Sequence, residues 1–234
     1  MFNNSYFETP AWTEYLKLQN ERPQAFAEGP CYRIITDQAA VLDFMNKNGR
    51  EIGVLYKSGF SYLVVDLVDD GKGGCFAYER VLPFVSSGAV VIVPHYGDRF
   101  VLLRQFRHAI RQEQIAFPRG FGEQGLDSTQ NAAKEIAEEL GAVVTETRHL
   151  GKVTADSGLV GNMVDIVECK LETADKGGHG SQPEECGEMY EPADEQNEGI
   201  LEYLYLTSDE VDRYIAEGRI TDGYTLAAWT LHKA

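Results

Sequence analysis

Apolar positions follow two rhythms along this chain. In the first fifty residues they recur at helical spacing within polar surroundings, as in Ala11–Leu18 and Gln38–Met45, with Asp37 placed to start the second helix. The rhythm then shortens to the period of a strand over Ile52–Tyr56, Tyr62–Val68 and Cys75–Leu82, with an Asp69-Asp70-Gly71 turn before the last of these. From Gly88 the pattern sharpens. Ala89–Pro94 is a continuous apolar strand, Tyr96-Gly97-Asp98-Arg99 a hairpin turn, and Phe100–Arg107 the return strand. A helix over Asp127–Leu140 follows, then strands at Arg148–Thr154 and Met163–Lys170. Residues 172–199 form a long polar insertion, of a length that is functional or disordered when it interrupts a domain. Strand Ile200–Leu206 meets a capping box at Thr207–Glu210, and Asp222 opens a last helix with Leu226, Ala227 and Trp229 for packing.

Mixed strands around one central helix, closed by terminal helices, predict an α/β (α+β layered) fold. The change of pattern near residue 85 divides the chain into a helical and β-rich extension, 1–84, and a main domain, 85–234.

Composition narrows the function. A formal charge of −16 argues against a nucleic-acid backbone or an anionic membrane as partner, but not against a small phosphorylated substrate held through a cation. No apolar run reaches the roughly 18 residues of a membrane span, and the N-terminal residues lack the pattern of a secretory signal. Cys31, Cys75, Cys169 and Cys186 show no paired spacing, so free thiols in a reducing cytoplasm are expected. His108, His149 and His179 lack a second ligand at metal spacing, and Lys176-Gly-Gly-His-Gly lacks the strand and helix of a phosphate loop.

The candidate chemistry gathers at Gly120–Ala142. Asp127 with Gln130 caps the helix, Ala133, Ile136, Ala137 and Leu140 form its expected apolar face, and Gly141 stops it. Glu135, Glu138 and Glu139 share one face, where like charges repel unless a cation sits among them. Lys134 can pair with Glu138 but cannot neutralise all three, whereas a hard divalent ion can.

Gly120 followed by Lys134-Glu135-Ile136-Ala137-Glu138-Glu139-Leu140-Gly141-Ala142 resembles the box of the Nudix hydrolase family. Residues 88–120 and 217–232 are similar to its ADP-ribose pyrophosphatase branch. The resemblance implies an α/β/α sandwich with a mixed sheet, and an N-terminal extension that helps build a homodimer. It implies a Mg²⁺- or Mn²⁺-dependent enzyme cleaving the diphosphate of ADP-ribose or a related nucleoside-diphosphate sugar. Glu135 and Glu139 would be the principal metal ligands, with the Arg119 carbonyl, and Glu138 would bind metal or pair with Lys134. Arg107, Arg119 and Phe121 would face the substrate. Glu198, or Glu195, would assist the attacking water from a late loop. The chain departs from the pattern at Leu126 and Lys134, where the box has glutamate and arginine, and at Ala116, where the branch often has glutamate. Lysine loses the bidentate fork of arginine, and Glu123 lies where it could compensate. The proline that marks ADP-ribose specialists is also missing from Ala155–Gly161. These departures sustain an alternative, a catalytically impaired module that binds a nucleotide sugar as a sensor.

Overall fold

The computed structural model describes residues 1–173 and 199–234. Its contacts divide the chain into two units, one of Met1–Ser86 with Asp156–Asn162 and one of Ser87–Ala155 with Met163–Ala234. The segment Asp156–Asn162 thus packs with the N-terminal unit, although the sequence pattern assigns it to the main domain.

The first unit holds α1 (Pro10–Glu21), β1 (Arg33–Ile34), α2 (Gln38–Asn48), β2 (Gly53–Lys57), β3 (Ser61–Asp69) and β4 (Cys75–Pro83). All sheet pairing here is antiparallel to β3, which takes β4 along its length and β1 and β2 on separate stretches. Trp12, Tyr15 and Leu18 of α1 and Val41, Phe44 and Met45 of α2 bury against Val64, Val65 and Leu67. The Tyr15 hydroxyl donates to Asp66 at 2.6 Å, and Arg80 pairs with the same carboxylate at 2.6 Å. That pairing satisfies a charge that burial would otherwise penalise heavily. Val81 and Val160 form a parallel bridge within this unit, and the Tyr78 hydroxyl donates to the Gly158 carbonyl at 2.6 Å.

The second unit holds β5 (Val90–Tyr96), β6 (Arg99–Arg107), β7 (Gln112–Ala116), β8 (Arg119–Gly120), α3 (Ser128–Leu140), β9 (Ala142–Val153), β10 (Val164–Thr173), β11 (Ile200–Thr207), α4 (Ser208–Ala216) and α5 (Gly223–Lys233). Its sheet runs β11-β6-β5-β10-β9, with β7 on β6 and β8 on β5. Only β5 and β10 are parallel neighbours among the described pairs, so the sheet is mixed. Side chains alternate across it. Val90, Ile92, Val101, Leu103, Val167 and Cys169 pack with Ala132, Ile136 and Leu140 of α3. Val91, Val93, Phe100, Leu102 and Ile166 pack on the opposite face with Ala228 and Trp229 of α5. This is the expected α/β/α sandwich, and burial on both faces explains why β5 reads as an unbroken apolar run.

Three details differ from the pattern-based expectation. β9 begins at Ala142 rather than Arg148; apart from Ala142 and Val144, which turn to the core, its first half is exposed, so the apolar pattern there is too short to mark a strand. β7 escapes the pattern because Gln112, Glu113 and Gln114 precede its two buried residues. In α3 the buried stripe is Asn131, Ala132, Ile136 and Leu140, while Ala137 is exposed. Cys31, Cys75 and Cys169 carry free thiols, and burial pushes Cys169 up to about 12. Among the described residues no helix is long and apolar enough to cross a membrane.

Candidate active site

The site is built where β8 passes through a short loop into α3. Asp127 accepts from the Gln130 amide at 2.8 Å, and the Gln130 side chain accepts from the Asp127 amide at 3.1 Å. This capping box fixes the first turn and therefore the direction of every carboxylate on the helix. One turn later, the Glu135 carboxyl lies over Gly120, filling the space a side chain would occupy there. Gly122 approaches the Ser87 carbonyl so closely that it too has no room for a Cβ. The loop is thus threaded against the chain entering β5.

Lys134 bridges two carboxylates, Glu123 at 2.5 Å and Glu138 at 3.2 Å. Hydrogen bonding to Glu123, and secondarily to Glu138, pushes its ammonium above the ordinary lysine range. Glu138 is exposed and engaged by Lys134, and Glu135 and Glu139 are half-buried. One Glu139 oxygen, Oε2, is shielded from solvent, and the Tyr203 hydroxyl anchors the Glu139 main-chain carbonyl at 2.9 Å.

A cleft of about 440 Å³ opens on the second unit, lined in part by Arg107, Gln114, Arg119, Thr221, Asp222 and Tyr224. Arg119 pairs with Asp222 at 3.4 Å and lies over the Tyr224 ring at 5.5 Å. Asp222 is buried and caps α5, accepting from the Thr225 amide at 2.9 Å and its hydroxyl at 2.8 Å. Thr225 in turn accepts from the Phe117 amide at 3.0 Å. One polar chain therefore connects the segment before β8, the start of α5 and the Arg119 guanidinium.

Of the residues singled out by sequence, Glu135 and Glu139 lie together on α3 with Gly120 beneath Glu135, and Arg107 and Arg119 line one cleft. Phe121, which is 76% exposed, does not line that cleft, and neither do Glu135, Glu138 and Glu139. Glu195 and Glu198 lie outside the described residues, as do Cys186 and His179. Among the described residues no three His, Cys, Asp or Glu side chains gather into a ready-made metal cage. Two further polar residues escaped the sequence reading. Asn131 is fully buried, and Gln105 is 2% exposed on the strand that carries Val101 and Leu103 to the α3 face. Their signal was a polar residue two or four positions from a chemically loaded one.

No family model and no curated protein matches this chain. Its fold does match solved structures, 264 chains in all, and likeness of fold alone does not fix a chemistry. One of them is described as an ADP compounds hydrolase. It is 17% identical, covers 78% of this chain and 90% of its own, and has a TM-score of 0.60. The chain shares the fold of an ADP compounds hydrolase, a mixed sheet layered between helices.

Proposed function

We propose that the chain is a Nudix-type pyrophosphohydrolase, dependent on Mg²⁺ or Mn²⁺, that splits the diphosphate of ADP-ribose or a related nucleoside-diphosphate sugar. The products are a nucleoside monophosphate and a sugar phosphate. The observation that carries this reading is the seating of Glu135 on Gly120, one helical turn from Glu139, within the fold of an ADP compounds hydrolase.

The residues suit a hard cation. Glu135 and Glu139 supply oxygen donors one turn apart, and the Gly120 backbone beside Glu135 leaves no side chain in the way. Mg²⁺ is usually held by one or two carboxylates together with waters and substrate phosphates, and Glu135 and Glu139 would supply the carboxylates. When bound, the ion would neutralise phosphate charge and lower the pKa of an attacking water. Arg107 and Arg119 would hold phosphate oxygens in the cleft, with Arg119 oriented by Asp222. Glu198 or Glu195 would accept the water proton as its oxygen bonds to phosphorus and the bridging P–O bond breaks. Glu123 stands in for the missing acid at Leu126 by holding Lys134.

Incubating purified protein with a panel of nucleoside-diphosphate sugars and Mg²⁺ or Mn²⁺, with product identification, tests the proposal. The expected result is monophosphate products, lost by about tenfold or more in Glu139→Gln. Tight binding of a nucleotide sugar without turnover would instead establish the sensor reading.

A further inference from the structure

Asn131 is fully buried on α3, and both hydrogens of its side-chain amide are in use. Nδ2 donates to the Gly88 carbonyl at 2.9 Å and to the Phe121 carbonyl at 2.7 Å. Gly88 stands just ahead of β5 and Phe121 just after β8, so one side chain ties a helix to two separate backbone segments. Asn131 precedes Glu135 by four residues, which puts the two on the same helix face. The Glu135 carboxyl covers Gly120, and the Asn131 amide holds the next residue's carbonyl. The two side chains clasp consecutive residues of one loop. Asn131 Oδ1 is buried with no hydrogen-bond partner among the described residues. A residue placed only for packing would avoid that unfavourable desolvation, so its donor function outweighs it.

We propose that Asn131 is a positioning residue for the cation site, a role that rests on the function proposed above. It clamps the Phe121 peptide to α3 and to the entry of β5, so that Glu135 meets the Gly120 backbone in a single geometry. The Glu123–Lys134 pair secures the outer side of the same loop, but with side chains 42% and 38% exposed it is the weaker tie. Asn131 thereby performs from inside the fold the loop-holding task that Leu126 has no polar group to perform.

The test uses the full chain, with Asn131→Ala, Asn131→Ser and Ile136→Val as variants. Mn²⁺ affinity is read from the spin-resonance signal of the free ion, and amide hydrogen exchange at Gly120–Glu123 is followed without metal. Asn131→Ala should bind Mn²⁺ about tenfold or more weakly, in the range of lost supporting contacts at metal sites. Its loop amides should exchange faster. Asn131→Ser keeps one donor and should fall between; it also carries the comparison if the alanine variant fails to fold. Ile136→Val loosens the buried side of the same helix and should leave Mn²⁺ affinity unchanged. Wild-type affinity and exchange in the Asn131 variants, or equal weakening by Ile136→Val, would overturn the positioning role alone. Wild-type protein that binds no Mn²⁺ would overturn the cation reading itself, and the positioning role with it.

Discussion

At Gly120 an added methyl group would meet the end of the Glu135 side chain, and at Gly122 it would meet the Ser87 backbone carbonyl. The neighbours differ in what they can yield. A carboxyl on a flexible stem swings aside, so Gly120→Ala should change stability by less than about 1 kcal/mol while displacing Glu135 and lowering turnover about tenfold or more. The Ser87 carbonyl belongs to the main chain just ahead of β5 and has no flexible stem on which to swing aside, so Gly122→Ala should cost about 1–3 kcal/mol of stability. Urea midpoints and steady-state rates on the two variants check both halves of this contrast. Glu135 and Glu139 were legible in sequence because helical spacing alone places them on one face. Asn131 was not, because a polar residue near a helix start looks the same whether it faces water or two buried carbonyls. The carboxylate spacing is local information, and the partners of Asn131 lie 43 and 10 residues away.

Among elements, α5 shows how a helix is held by its polar edge as well as its core. Trp229 packs edge-on against Phe100 at 4.9 Å and donates to Asp212 of α4 at 2.6 Å, and Lys233 reaches the same carboxylate at 3.1 Å. The hydrogen bond from Trp229, supported by Lys233, lowers the Asp212 pKa below its ordinary value. A carboxylate with a folded pKa below its unfolded one adds stability above the unfolded value and loses it as pH falls through the folded value. The melting-temperature gap between wild type and Asp212→Asn should therefore be widest near about pH 6–7 and close below about pH 4. A gap independent of pH would mean that the tryptophan bond acts without the charge. Elements with an apolar rhythm, α1, α2, β5, β6 and α3, were legible along the chain. β7 and the first half of β9 were not, since pairing rather than apolar alternation makes them strands.

On the scale of the whole molecule, Asp156–Asn162 belongs with a unit whose other residues end at Ser86. Within that unit the Val81 amide donates to the Leu159 carbonyl at 2.8 Å, and the Gly161 amide to the Val81 carbonyl at 2.9 Å. A chain shortened to residues 85–234 removes Val81 and Tyr78 and leaves that segment without these bonds. Limited proteolysis should then cut within Asp156–Asn162, where the intact chain resists. No local pattern announces such a return, because the segment is polar and glycine-rich and its partner strand lies some 80 residues earlier. With a formal charge of −16 the molecule's overall field opposes an anion, so the substrate proposed above would rely on a bound cation and on Arg107 and Arg119 in the cleft. In the proposed function, a cation held by Glu135 and Glu139 assists cleavage of a diphosphate. Phosphorus-31 resonance of ADP-ribose and related sugars, followed with protein and Mg²⁺, tests it directly. The diphosphate signals of at least one substrate should give way to two phosphomonoester signals, and Glu135→Gln and Glu139→Gln should slow this about tenfold or more. Diphosphate signals that persist across the panel with wild-type protein, or equal rates in wild type and both variants, would contradict it.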